Sequence, residues 1–183
     1  MVAWGKDNVI LIKPDASFAK EIRSYREEML LAGSSMDGTG ALRRLEDPME
    51  WLRQNAILEN PENIPANKVP ATQFVLTDAE TGRIYGMLQV RHELNEYLRR
   101  FAGHIGYSVR PTERRKGYAK KMLKLSLQYC KETLGLDRVM VSCLVGNDAS
   151  RRTILACGGV FEERVYEPIE NVWLEKYWIS LEE

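Results

Sequence analysis

Residues 103–134 read GHIGYSVRPTERRKGYAKKMLKLSLQYCKETL, and this stretch decides the fold. Its first seven residues are typical of a strand, which we expect to end before Pro111. From Tyr118 to Leu134 apolar side chains recur at spacings of three and four, which predicts an amphipathic helix. The first turn of a helix has unpaired backbone N–H groups and the positive end of the helix dipole. A strand that leads through a short basic turn into a helix therefore predicts an anion-binding site.

The basic turn itself has the composition that such a site needs. Gly117 has no Cβ to keep a diphosphate away from the amides, and Ala119 is small enough to allow the same approach. Arg114, Arg115 and Lys116 add positive charge. The turn is neither a Walker loop nor a dinucleotide fingerprint, since the glycines that those motifs require are missing. From the turn alone, an exposed basic helix start without a ligand stays open as the alternative.

The rest of the chain predicts alternating helices and strands. The predicted strands are 9–12, 72–77, 84–91, 103–109, 139–145, 161–166 and 172–181. The predicted helices are 18–32, one that begins after the N-cap Asp47, 118–134 and 147–156. The glycine-rich loop 33–40 is expected to be flexible, and the proline-rich segment 59–70 is expected to be a loop. No repeat or composition break divides residues 1–183, so we expect one mixed α/β domain.

Composition excludes several classes of protein. Apolar residues are 44% and charged residues 28%, the balance of a globular protein. Lys plus Arg (26) equals Asp plus Glu (26), and the basic turn has no interleaved aromatics, so no nucleic-acid partner is expected. No apolar run approaches about 20 residues, and residues 1–8 do not resemble a signal peptide, so no membrane association is expected. Three widely spaced cysteines predict reduced thiols and a cytoplasmic protein, and two histidines without a Cys-x-x-Cys predict no metal site.

The turn resembles motif A of the GNAT superfamily of N-acetyltransferases. That motif has the pattern Arg/Gln-x-x-Gly-x-Gly/Ala, which Arg114, Gly117 and Ala119 match. The preceding residues 106–111 are similar to the fourth strand of the family, and 147–150 and 158–161 resemble its Asn-x-x-Ser/Ala and Gly-Phe landmarks. The resemblance implies a single α/β (α+β) domain, with a mixed, mostly antiparallel sheet of six to seven strands flanked by about four helices.

The resemblance also implies acetyl-CoA as co-substrate and an amine of a small molecule or protein as acceptor. The amine would attack the thioester directly in a ternary complex, and a strand N–H near Val109 would polarise the carbonyl. The implied contacts of the pantetheine arm are Tyr107, Ser108, Val109, Arg110, Asn147 and Ser150. The implied contacts of the pyrophosphate are Arg114, Arg115, Lys116, Gly117, Tyr118 and Ala119.

The catalytic groups are less well defined. His104 on the fourth strand is the first candidate for the base, because neutral imidazole accepts protons near pH 7. A histidine hydrogen-bonded within the sheet is the alternative, and His92 and Glu93 are weaker candidates. Many family members have a tyrosine acid seven residues after the asparagine, where this chain has Ile154. Tyr166, Cys157 and solvent therefore stay open as the proton donor.

Ile154 also keeps a second function open, a non-catalytic module that binds acyl-CoA and senses the cofactor or regulates a partner. Loops 33–40 and 59–70 would frame the acceptor pocket, but their residues do not identify the amine. Trp173, Tyr177 and Trp178 on the last strand fit either the core or a contact between two copies, so a homodimer stays open.

Overall fold

The computed structural model describes Gly5 and residues 8–182. Its strands are β1 (Val9–Ile12), β2 (Ala71–Asp78), β3 (Ile84–Arg91), β4 (Ile105–Val109), β5 (Arg138–Leu144), β6 (Gly159–Glu167) and β7 (Val172–Ser180). Its α-helices are α1 (Ala19–Leu31), α2 (Pro48–Glu59), α3 (Tyr118–Glu132) and α4 (Asp148–Leu155). One-turn 3₁₀ helices lie at Ala16–Phe18, Pro61–Asn63 and Pro111–Glu113, and a π-helical turn lies at Leu98–Ala102.

All seven strands form one sheet in the order β1-β2-β3-β4-β5-β7-β6. Every neighbouring pair is antiparallel except β4 and β5, which are parallel. The predicted mixed, mostly antiparallel sheet with four α-helices is confirmed. Among the described residues no helix is both long and apolar enough to cross a bilayer.

Side-chain alternation divides the apolar core between the two faces of the sheet. On one face, Met122 and Leu123 of α3 pack with Val139 and Val141 of β5. On the other face, α1 and α2 pack over β2 and β3, where the buried residues include Ile22, Tyr25, Met29, Trp51 and Met87. The centre of the sheet is therefore covered on both sides.

The loop at 33–40 differs from its prediction because it is packed on the sheet. Thr39 is fully buried, and its carbonyl accepts a hydrogen bond of 2.7 Å from the Trp51 indole. Gly38 has φ of +72°, and a Cβ there would lie 2.0 Å from the carbonyl oxygen of Gly106. Glycine in this loop allows close contact with β4, so the expectation of a flexible loop is corrected.

Candidate functional site

The parallel strands β4 and β5 part from each other at the centre of the sheet. β4 pairs with β3 from Ile105 to Val109, but it pairs with β5 only through Ile105 and Val141. The Arg110 N–H donates to Tyr85 and the His104 carbonyl accepts from Arg91, so these two groups of even-numbered residues point towards β3. By alternation, the backbone groups of Tyr107 and Val109 point into the gap beside β5.

The start of α3 lies next to the open end of this gap. Gly117 is the N-cap residue, with φ of +83° and no side chain to cap the helix. A Cβ on Gly117 would meet no other atom within 4 Å, so the space in front of the first turn is open. Arg115 also has a positive φ, of 64°, which is uncommon for a residue with a side chain. A tight turn of this kind presents uncapped helix amides to an anion.

The three basic side chains of the turn have different environments. Arg114 donates to the Val109 carbonyl at 3.2 Å and to the Ser34 hydroxyl at 2.8 Å. Lys116 forms a 2.9 Å ion pair with Glu113, which also pairs with Arg83. Arg115 is exposed and has no ion pair within the described part of the chain. Arg114 and Arg115 therefore both have charges without an ion pair in the described residues, and Arg115 is the one whose guanidinium also makes no hydrogen bond there.

Arg110 has a different position from the one its predicted role requires. Its side chain is 1% exposed and lies against α1, 3.2 Å from Glu21 and 3.7 Å from Glu28. Burial opposes ionisation of Glu28, but hydrogen bonds from Thr112 and the charge of Arg110 hold the Glu28 pKa below its ordinary value. The Arg110 side chain therefore attaches α1 to the sheet and lies away from the gap. Only its backbone remains near the predicted cofactor contact.

Tyr107 and Ser150 meet on the α4 side of the gap. Their hydroxyl oxygens are 2.8 Å apart, so a bond from β4 reaches the helix that follows β5. Burial raises the pKa of Tyr107 to about 12, although the bond to Ser150 acts in the opposite direction. Asn147 is the N-cap of α4, and its side-chain oxygen accepts from the Ser150 N–H at 3.1 Å. The exposed Asn147 keeps its side-chain NH₂ group for another partner.

Two other predicted contacts have side chains that turn away from the gap. The Ser108 hydroxyl lies 3.1 Å from the Tyr25 hydroxyl, on the face covered by α1. The Tyr118 ring stacks on Tyr85 with ring centres 4.4 Å apart. The prediction did not include Tyr25 or Tyr85, because nothing in their sequence spacing separates them from core residues.

His104 lies at the closed end of β4, where the strands are still paired. The ring Nδ1 of His104 accepts a hydrogen bond of 3.0 Å from the backbone N–H of Met140. The backbone N–H of His104 donates to the Met140 carbonyl at 2.8 Å. Burial lowers the pKa of His104 to about 4, and the charges of Arg91 and Arg99 act in the same direction. At about 3.3 Å per residue, its Cα is about 16 Å along the strand from that of Val109. These contacts favour the structural alternative, and the role of His104 as base stays a prediction.

The other proposed proton carriers also have structural contacts. His92 bonds through Nε2 to the Thr72 hydroxyl at 2.8 Å, and burial lowers its pKa. Tyr166 donates to Asn171 in the β6–β7 hairpin, and burial raises the pKa of Cys157. Ile154 is fully buried, and its side chain packs so closely that a Cβ on Gly159 would lie 2.5 Å away.

The aromatic residues of β7 divide between the core and the surface. Tyr177 is buried in the core beneath α3 and α4, whereas Trp178 is half-buried on the opposite face. Trp173 is 55% exposed beside Tyr166 on the edge strand β6. Tyr177 therefore has the core position that one alternative predicted, and the homodimer stays untested.

A mixed sheet whose central parallel strands part beside an uncapped helix start is the arrangement that the resemblance to an acyl-CoA-dependent class of acyltransferases implies. Within that class the chain belongs to the GNAT family, because the family model described as "Acetyltransferase (GNAT) domain" matches residues 19–160. The protein is therefore an acyltransferase of the N-acetyltransferase type, and the resemblance seen in the sequence is confirmed.

Solved structures give the same fold. A ribosomal-protein-S5-alanine acetyltransferase from Vibrio fischeri has a TM-score of 0.75 at 18% identity, over 98% of this chain and 97% of the other. The microcin C7 self-immunity acetyltransferase MccE, in complex with acetyl-CoA and AMP, has a TM-score of 0.73 at 18% identity, over 96% and 94%. The Vibrio cholerae spermidine N-acetyltransferase, in complex with CoA and spermine, has 0.67 at 18%, over 96% of each chain. No curated protein matches the sequence significantly.

Proposed function

We propose that the protein transfers the acetyl group of acetyl-CoA to a primary amine of a small molecule or protein, by direct attack in a ternary complex. The observation that carries the proposal is the gap between β4 and β5, which opens next to the uncapped first turn of α3. A thioester of CoA has an extended arm with amides at one end and a pyrophosphate at the other. The gap and the helix start offer matching groups in the same order.

The fit of the cofactor follows from the backbone groups that face the gap. The backbone groups of Tyr107 and the N–H of Val109 face it, and the amides of the pantetheine arm can pair with them as an added strand would. The Val109 carbonyl already accepts from Arg114, so an arm amide would compete with that bond. The Asn147 NH₂ group can donate to an arm carbonyl from the other side. The pyrophosphate would bind the amides of Gly117 to Ala119 with help from Arg115, while Arg114 and Lys116 contribute charge at greater distance.

The reaction needs a neutral amine and a polarised thioester. A strand N–H near Val109 can donate to the carbonyl oxygen as negative charge develops there, which lowers the barrier for attack. The amine must lose a proton before it attacks. A water chain supplies this step without a dedicated base, which agrees with the low pKa and structural bonding of His104.

An amine as the acceptor is supported by the similar structures. Their names describe acetylation of spermidine and of alanine on a ribosomal protein, which both offer amines. At 18% identity these names support the class of acceptor and do not select a member of it. The alternative of a non-catalytic sensor differs in one observable, because a sensor binds acetyl-CoA but releases no thiol with any amine.

The test is calorimetric titration with acetyl-CoA of the wild type, Gly117→Glu and Gly135→Glu. The first variant places a carboxylate against the pyrophosphate and should weaken binding about 100-fold or more, since juxtaposed like charges cost several kcal/mol. The control is matched because Gly135 follows the other end of α3, has φ of +63° and also has open space around its Cβ position. It carries the same backbone strain and the same charge, and should bind like the wild type.

Unchanged acetyl-CoA affinity in Gly117→Glu would contradict the site. If the wild type binds and the variant does not, a panel of amines, including polyamines and peptides with free N-termini, is then tested for thiol release. Thiol release that depends on one amine identifies the acceptor, and no release with any of them favours the sensor.

A further inference from the structure

Two hydroxyl groups, those of Tyr107 and Ser150, lie at the place where β4 and β5 part. Tyr107 is two residues past the last β4–β5 pair, and its phenol lies 2.8 Å from the Ser150 hydroxyl. The Cys143 thiol, two residues past Val141 on β5, is close to Ser150, and burial raises its pKa to about 11. A phenol, a hydroxyl and a thiol therefore gather at one point within an otherwise apolar cluster.

Counting protons shows which donor can turn towards a ligand. Each hydroxyl carries one proton, and the bond between Tyr107 and Ser150 uses only one of the two. The Thr153 hydroxyl, which gives its own proton to the Ala149 carbonyl, also interacts with the phenol, and the Cys143 thiol beside Ser150 is a weak acceptor. When Ser150 donates to the phenol oxygen, the phenol proton can turn from Thr153 to a stronger acceptor in the gap.

Given the acetyl transfer proposed above, we infer that the Tyr107 phenol, oriented by Ser150, donates a hydrogen bond to the CoA sulfur as the thioester breaks. The arm that pairs with β4 passes Tyr107, and Ile154 on α4 is buried and has no proton to donate. A phenol from β4 thus supplies, at the same gap, the donor that α4 lacks.

Relative acidity decides between a donated hydrogen bond and a donated proton. A thiol has an ordinary pKa of about 8.5, whereas burial raises the pKa of Tyr107 to about 12. Complete transfer from the phenol to the thiolate is therefore uphill, and the phenol stays protonated throughout the neutral range. Its contribution is a charge-assisted hydrogen bond to the sulfur, the stronger class of hydrogen bond.

The step is balanced without a further reactant. The bond from the amine nitrogen to the acetyl carbon forms, the bond from that carbon to sulfur breaks, and the electron pair of the broken bond stays on sulfur. The amine nitrogen releases its proton to water, and the thiolate later takes a proton from water. Ser150 is half-buried on the first turn of α4, where the neighbouring residues are exposed, so solvent can reach the pair.

Binding experiments test the hydrogen bond without turnover. Wild type, Tyr107→Phe and Ser150→Ala are titrated between pH 6.5 and 9.5 with CoA and with desulfo-CoA, in which hydrogen replaces the thiol. In the wild type, the affinity for CoA should rise with pH relative to desulfo-CoA, because the thiolate accepts a stronger hydrogen bond. Tyr107→Phe should remove most of this rise and leave the affinity for desulfo-CoA within about two-fold.

Turnover gives the second readout once an acceptor amine is known. Tyr107→Phe should lower kcat about 10- to 100-fold with the KM for acetyl-CoA within about two-fold, as expected when a hydrogen bond to a charged group is lost. Ser150→Ala should give a smaller loss, because it removes only the orienting partner. Tyr166→Phe tests the competing tyrosine, and a loss there without a loss in Tyr107→Phe would overturn the inference.

The outcomes separate this inference from the proposed function. If neither CoA nor desulfo-CoA binds the wild type, the proposed function fails. If both bind with the same pH dependence, the cofactor site stands and the role of Tyr107 is overturned. Circular dichroism checks the fold of each variant. If Tyr107→Phe is unfolded, the same titration of Ser150→Ala is the test. A rise with pH of the affinity for CoA relative to desulfo-CoA that is unchanged in Ser150→Ala would contradict the inference.

Discussion

The two ends of β4 have the same strand geometry but different partners. At the closed end, His104 and Ile105 are bonded on both sides, to β3 and to β5. At the open end, Tyr107 and Val109 lie opposite residues of β3 but have no partner in β5. Over the five residues of β4 the strand therefore changes from pairing on both sides to pairing on one side.

The difference explains why a polar residue on β4 has one role at one end and another role at the other. His104 uses its backbone and its Nδ1 to replace the sheet pairing around Met140, and burial keeps it neutral. Tyr107 carries a hydroxyl to a place where the strands are apart. Pairing with β5 therefore decides which backbone groups of this strand are left without a partner in the sheet.

Truncation of one apolar side chain at each end of β4 should give the largest difference between the two ends, measured as the free energy of unfolding. Ile105 is 1% exposed at the single β4–β5 pair, so Ile105→Ala should lower the free energy of unfolding by about 2–5 kcal/mol. Val109→Ala should cost only about 1 kcal/mol, because Val109 is half-buried beside the gap. Urea denaturation of both variants measures the difference. Equal losses would mean that the open end is as tightly packed as the closed end.

The pH dependence of stability should isolate His104. Its pKa is about 4 in the folded protein and about 6.5 in the unfolded chain, so between these values the unfolded state binds more protons. Stability from the neutral imidazole is therefore fully present above pH 6.5 and decreases as the pH falls towards 4. The two pKa values imply a total loss of about 3 kcal/mol.

His104→Asn keeps a side-chain acceptor for the Met140 N–H but cannot titrate in this range. The variant should show a flatter dependence of unfolding free energy on pH between 6.5 and 4 than the wild type. His92→Gln is the comparison, since His92 is half-buried, is hydrogen-bonded to Thr72 and also has a lowered pKa, so its removal should flatten the dependence less than His104→Asn does. A wild-type slope that persists in His104→Asn would show that another group titrates. If the rate of the wild type rises with pH near pH 7 and His104→Asn abolishes that rise, His104 would be the base after all.

Much of this architecture could be predicted from the sequence because its signals are local. The amphipathic repeat of α3, the Asp47 cap with Pro48 and the turn through Gly117 act over a few residues, and all of them are present in the structure. The burial of Arg110 against α1 and the bond from Tyr107 to Ser150 depend on residues 43 or more positions apart. No local pattern encodes such contacts, so the sequence predicts the helix start better than it predicts the catalytic groups.

The smallest expected effect concerns acetyl-CoA binding by the basic turn beside the open end of β4. Arg115 is exposed without an ion pair, whereas Lys116 is already paired with Glu113. Arg115→Gln should weaken acetyl-CoA binding about three- to five-fold at low salt, the size expected for one exposed charge near a helix start. Lys116→Gln should have a smaller effect, because its charge is partly neutralised in the free protein. Both differences should shrink at 0.5 M NaCl, since salt screens exposed charges. An equal loss in the two variants would show that Lys116 leaves Glu113 when the cofactor binds.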